Sequence, residues 1–120
     1  MLFDLNEYRF YLCPGAFDMR TGIWRLLEYM DSKNYDAHDK VAYMVCGKSR
    51  KCIKIVLWSN GYWLLQKHAA SGTFCWPKDE DEARSLTLDD IERLLAGQDI
   101  FRRIKEEDNR LIFWYLLCIH

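Results

Sequence analysis

Two strand-like runs separated by Asn60-Gly61 constrain this chain more than any other feature. Cys52 to Ser59 is apolar and rich in β-branched residues, and Tyr62 to His68 continues in the same style after the Asn-Gly pair. That is the pattern of a β-hairpin closed by a type I′ turn. A two-residue loop would set Ser59 opposite Tyr62, Trp58 opposite Trp63, Val56 opposite Leu65 and Lys54 opposite Lys67. One face would then hold Ile53, Ile55, Leu57 and Leu64 with Gln66 and His68; the other would hold the tryptophans, Val56, Leu65 and the two lysines. Ammonium groups directly opposite one another repel. Either they splay into water on long stems, or an anion such as phosphate lies between them. The tryptophan pair is read first as core and second as a base-stacking platform. A third short strand, Thr73 to Trp76, closes on the hairpin, and Pro77, which has no N–H, ends it.

The flanking segments complete an α+β expectation. Tyr8 to Cys13 reads as a strand, broken by Pro14-Gly15. A helix follows, with Asp18 as N-cap and Ile23, Leu26, Leu27 and Met30 at helical spacing, ending near Ser32. Gly22 falls in its first turns, where glycine costs about 1 kcal/mol against alanine, so close packing or a functional approach is the expected reason for it. Lys33 to Asp39 is a polar loop, and Val41 to Cys46 is a strand pairing with Cys52 onward. Thr87 begins a second helix, with Asp90 completing a capping box, Ile91, Leu94 and Leu95 forming its buried stripe, and Gly97 stopping it. The expected fold is an antiparallel β-meander of about four to six strands with an N-terminal and a C-terminal helix packed on it. Ile100 to Glu107 has the makings of a short helix. The apolar tail, residues 109–120, contains Phe113, Trp114 and Tyr115; it is too short to span a membrane, and either adds a last strand or contacts another copy of the chain.

A chain of 120 residues, 50% hydrophobic, makes a single domain, 1–120, with one core. It has no apolar run near eighteen residues, and Asp4, Glu7 and Arg9 interrupt the segment where a signal peptide needs apolar residues, so a cytoplasmic protein is expected. The five cysteines (Cys13, Cys46, Cys52, Cys75 and Cys118) lie in apolar runs without metal-ligand spacing, and read as reduced packing residues. No metal and no cofactor is expected.

The net charge is only −1, but the charges are unevenly placed. Between Lys40 and Lys78 there is no Asp or Glu, while Lys48, Arg50, Lys51, Lys54 and Lys67 all fall within that stretch. The acids gather in Asp79–Glu82, in Asp89, Asp90 and Glu92, and in Glu106–Asp108. Such asymmetry points to one positive surface for a polyanion, the bland alternative being a solvated sheet edge. Gly47 to Lys51 is a basic tip of the kind that meets phosphates by charge and backbone donors. Catalysis is not expected. Asp18, Arg20 and His68 could be assembled into a site and Asp79–Glu82 imagined holding a metal, but four consecutive acids form a solvated loop rather than converging carboxylates. Asp18, Arg20 and His68 read instead as a helix cap, a structural or phosphate-contacting cation and a polar strand-end residue.

Asp18-Met19-Arg20 with Gly22, the Lys54–Trp58 strand, Gly61, Lys67, Gly72-x-Phe74-x-Trp76-Pro77, and Leu94-Leu95 with Gly97 together resemble the TnpB-type accessory protein, second open reading frame, of the sixty-six family of bacterial insertion sequences. This is not the RNA-guided nuclease that shares the name. The resemblance covers residues 8–100 and marks Asp18, Met19, Arg20, Gly22, Lys54, Lys67, Phe74, Trp76 and Pro77. It implies a non-catalytic helper of transposition that works beside a separate transposase and the other proteins of its element. Departures are His68, where a second basic residue is common, Ser59, where an acid is common, and a less basic overall charge. Two readings stay open: DNA phosphates contacted through Arg20, Lys48, Arg50, Lys51, Lys54, Lys67 and His68, or an adaptor docking on the transposase through exposed aromatic surface and the apolar tail.

Overall fold

The computed structural model describes residues 4–98, so the short helix and apolar tail expected beyond Gly97 lie outside the described residues. The elements are β1 (Arg9–Leu12), α1 (Ile23–Ser32), β2 (Val41–Cys46), β3 (Cys52–Trp58), β4 (Tyr62–His68), α2 (Glu80–Ser85) and α3 (Leu88–Leu95), with single 3-10 turns at Leu5–Glu7 and Ala37–Asp39. The strands form one sheet in the order β1-β2-β3-β4.

Both faces of this sheet are covered. On one, Leu12, Ala42, Met44, Cys46, Ile53, Ile55 and Leu57 pack with Phe74, Trp76 and the α3 residues Ile91 and Leu94. On the other, Val41, Tyr43, Val45 and Val56 pack with Leu26 and Met30 of α1. Each such fully buried Leu, Ile or Met side chain stabilises the fold by about 1.5–3 kcal/mol. Every residue of β2 is buried, which is why its sequence, Val-Ala-Tyr-Met-Val-Cys, is continuously apolar rather than alternating.

The α+β class stands, with one pairing different from the meander expected. β1 runs parallel to β2, Arg9 beside Val41 through Leu12 beside Met44, while β2–β3 and β3–β4 are antiparallel. A parallel neighbour needs a crossover, and α1 supplies it. Thr73 to Trp76 lies outside the four-stranded ladder. It is instead an extended strap: Phe74 N–H donates to Arg50 O at 2.7 Å, and the buried Trp76 donates its indole N–H to Cys13 O at 2.7 Å.

The hairpin is real, but its loop holds three residues. Trp58 pairs with Tyr62, Leu57 with Trp63, Ile55 with Leu65, Lys54 with Gln66 and Ile53 with Lys67. Ser59 N–H donates to Gly61 O at 2.9 Å, and Asn60 and Gly61 both have positive φ (54° and 137°). The Asn-Gly pair therefore serves a longer turn, and adding Ser59 to the loop slips the register by one. Because side chains alternate, that slip exchanges faces for the whole of β4. Trp63, Leu65 and Lys67 join Ile53, Ile55 and Leu57, and Lys54 and Lys67 lie on opposite faces. The predicted Lys54–Lys67 and Trp58–Trp63 pairs do not exist.

Helix ends show one correction and one agreement. Gly22, not Asp18, is the N-cap of α1, and nothing lies within 4 Å of where a Cβ on it would sit, so close packing does not explain it. Thr87 and Asp90 form the expected capping box, Asp90 N–H donating to Thr87 Oγ1 at 3.1 Å and Thr87 N–H to Asp90 Oδ2 at 3.0 Å. The acids Asp79 to Glu82, expected as loop, begin α2: Asp79 accepts from Glu82 N–H, and three carboxylates favour the positive end of the helix dipole.

Candidate nucleic-acid interface

The end of the sheet where β2 leaves and β3 enters is where the basic residues gather. Gly47 to Arg50 forms a tight turn, with Arg50 N–H donating to Gly47 O at 3.0 Å. Gly47 is buried because Met19 lies across it: a Cβ there would come within 2.8 Å of Met19 Cγ. The end of β4 belongs to the same region, since His68 pairs with Cys52 and Ala69 N–H donates to Lys51 O at 2.9 Å.

The structure divides the predicted phosphate-contacting residues into two groups. Lys48, Lys51, Lys67 and His68 are exposed at this end. Arg50 and Lys54 are partly buried and bound to the chain itself. Arg50, at a left-handed φ of 60°, donates from Nη1 to Gly15 O at 2.8 Å, and Lys54 Nζ donates to Met19 O at 2.8 Å and Thr21 O at 3.3 Å. Lys54 thus spends two of its three donors on main-chain carbonyls. Arg20 is exposed but engaged: Nε and Nη2 each lie 3.0 Å from the Asp18 carboxylate, which also accepts from Arg20 N–H. These bonds hold the Asp18 carboxyl down at about 2. His68 is bonded to Gln66 at 3.0 Å. Burial pushes the Cys46 thiol up, against the lowering effect of the neighbouring Arg50.

The acids of α2 lie toward the other flank of the sheet. α2 packs on β1, and the charge of Glu80 contributes to raising the Tyr29, Tyr35 and Tyr43 hydroxyls, an effect led by a Cys13 hydrogen bond at Tyr29 and by burial at the other two. Cys13, Cys46 and Cys52 are free thiols. Among the described residues no cluster of His, Cys, Asp and Glu could hold a metal, and no helix is long and apolar enough to cross a membrane.

Several of the residues that carry the resemblance, Met19, Lys54, Phe74, Trp76 and Pro77, converge on this same end as a fastening. Phe17 N–H donates to Cys46 O, Met19 covers Gly47 and accepts from Lys54, Phe74 holds Arg50, Trp76 holds Cys13, and Pro77 O accepts from Gly15 N–H at 3.0 Å. The family model described as IS66 Orf2 like protein matches residues 8–105. The chain belongs to that family. IS66 Orf2 like proteins are accessory proteins of an insertion sequence, and the match spans every element described above from β1 to α3. Among curated proteins and solved structures, none matches.

Exposed aromatic surface was expected without named residues. At the opposite end of the sheet, Trp24, Tyr62, Trp58 and His38 form a ring cluster: Trp24 meets Tyr62 edge-on at 5.9 Å, Tyr62 meets Trp58 at 4.8 Å, and His38 lies 4.3 Å from Trp58. Trp24 is 69% exposed. The available signal was a tryptophan lying off the Leu26–Met30 stripe of an amphipathic helix.

Proposed function

We propose that this chain is a non-catalytic accessory factor of insertion-sequence transposition that contacts DNA phosphates through Lys48, Lys51 and Lys67 at the basic end of its sheet. The observation that carries the reading is the gathering of these three exposed cations at one end, in a stretch free of acids from 41 to 77. Arg50 and Lys54 support that end from within rather than reaching out from it. Phosphate contacts position a protein without reading bases, so sequence preference would come from elsewhere.

The test is binding to duplex DNA from the ends of the element across a salt series. Changing Lys48, Lys51 and Lys67 together to Glu should weaken binding to all sequences alike and flatten the log-log salt dependence by about 0.9 for each phosphate no longer neutralised. An unchanged affinity and slope would remove this reading. The second reading is an adaptor that docks on the transposase, and the exposed Trp24 with Tyr62 favours it, since aromatic residues dominate protein contacts. Loss of transposase capture by Trp24→Ala, with DNA binding intact, would support it.

A further inference from the structure

We propose that β4 is a self-pairing edge, and that two copies of the chain join β4 to β4 in antiparallel register centred on Leu65. Among the described residues the sheet ends at β4, whose substantial packing there is with β3 alone, whereas the opposite edge, β1, is packed by α2. Ala69 N–H points inward to Lys51 O, so the alternation of an antiparallel ladder turns the N–H and C=O groups of Tyr62, Leu64, Gln66 and His68 outward. Such a row is a template for another strand.

Its side chains select a second copy as that strand. β4 carries no acid and one lysine, so a like-charge clash is what self-pairing must avoid. In the antiparallel register that uses all seven residues, Leu65 faces the partner's Leu65, Gln66 faces the partner's Leu64, and His68 faces the partner's Tyr62. Lys67 then faces the partner's Trp63, four positions away from the partner's Lys67. The outward groups all meet as hydrogen-bonded pairs, giving about eight main-chain bonds. In-register parallel pairing would instead bring the two lysines together. Lys48 and Lys51 lie outside the paired strand and Lys67 lies within it, so the dimer is tested with variants that leave all three cations in place.

Sedimentation of the full chain, reduced, should show a dimer. Gln66→Pro removes one outward N–H without touching the β3–β4 ladder, and should raise the dimer dissociation constant by about tenfold or more while the circular dichroism is retained. Should that variant fail to fold, cysteine cross-linking keeps the test: under mild oxidation Leu65→Cys should link two copies through position 65, mapped by peptide mass spectrometry, and Gln66→Cys should not link through position 66. A monomer at every concentration would overturn the proposal, the edge then being bare or covered by the chain itself. So would a dimer that does not link at position 65, which would place the contact elsewhere.

Discussion

The two ends of the sheet are made of different chemistry. At the end marked by Cys46, Cys52 and His68, hydrogen bonds from Arg50, Lys54, Phe74 and Trp76 tie segments 13–21, 46–54 and 74–77 together, and Lys48, Lys51 and Lys67 project outside that fastening. At the other end the contacts are rings, Trp24, His38, Trp58 and Tyr62, with Tyr8 donating its hydroxyl to Trp58 O at 2.7 Å. The difference teaches that residue type alone assigns no role. A lysine at the first end is scaffold or surface according to whether carbonyls meet its ammonium, and a tryptophan is core or contact according to which end it occupies.

The largest effects should come from the fastening. Trp76→Ala removes a ring that is 5% exposed together with its bond to Cys13 O, and should cost about 3–5 kcal/mol in urea unfolding. Trp24→Ala, at 69% exposure, should stay within about 0.5 kcal/mol of the parent. Equal losses would erase the contrast between the ends. Next comes Gly47→Ala, whose new methyl would meet Met19 Cγ at 2.8 Å and should cost about 1–3 kcal/mol. Met19→Ala combined with it should cost less than the sum of the two single changes, because the clash then has no partner.

The two lysines sharpen the comparison further. Lys54→Met leaves Met19 O and Thr21 O without their donor, and thermal unfolding should show a loss of about 1–3 kcal/mol. Lys67→Met, on the exposed end of β4, should change stability by less than about 0.5 kcal/mol yet lower the DNA salt slope by about 0.9. The reverse assignment would show that the internal bonds of Lys54 do not decide its role.

How much was legible depended on whether a signal was local. The α3 capping box, the Leu26–Met30 stripe and the Gly97 stop are spelled out by residues a turn apart, and the structure has all three. The hairpin's existence was equally plain, but its loop length was not, since Asn60 and Gly61 adopt positive φ in a three-residue loop as readily as in a two-residue one. The expected Lys54–Lys67 repulsion was itself the warning. The true register sets Lys54 beside Gln66 and Lys67 beside Ile53, with no charges opposed. The strand–helix–strand order of β1, α1 and β2 is compatible with a parallel pair, but the antiparallel meander was expected instead. The fastening was hidden for another reason. Lys54 reaches Met19 and Arg50 reaches Gly15 across more than thirty residues of sequence, and no local pattern encodes a carbonyl so far away.

The smallest effect concerns Asp18 and Arg20, beside the fastening but in water. The Asp18 carboxyl is held at about 2, first by the Arg20 guanidinium and then by Arg20 N–H. Its folded value is below the unfolded one, so whatever stability the pair adds is present above pH about 4 and is lost as pH falls through about 2. With the Arg20 side chain 91% exposed and that of Asp18 50% exposed, solvent screens the pair, and unfolding measurements should barely register it. Carbon NMR of the Asp18 carboxyl should. In the parent it should remain ionised well below the range of an ordinary aspartate. In Arg20→Ala its midpoint should climb only part of the way back, because the main-chain N–H still donates to Asp18 Oδ1 at 3.1 Å. High salt should also raise the parent's midpoint by screening the charge, while leaving the bond to the N–H in place. An Asp18 that titrates near 3.8 in the parent would mean that the fork between these side chains does not persist in solution, leaving Arg20 a free cation and a fourth candidate for the phosphate contacts of that end.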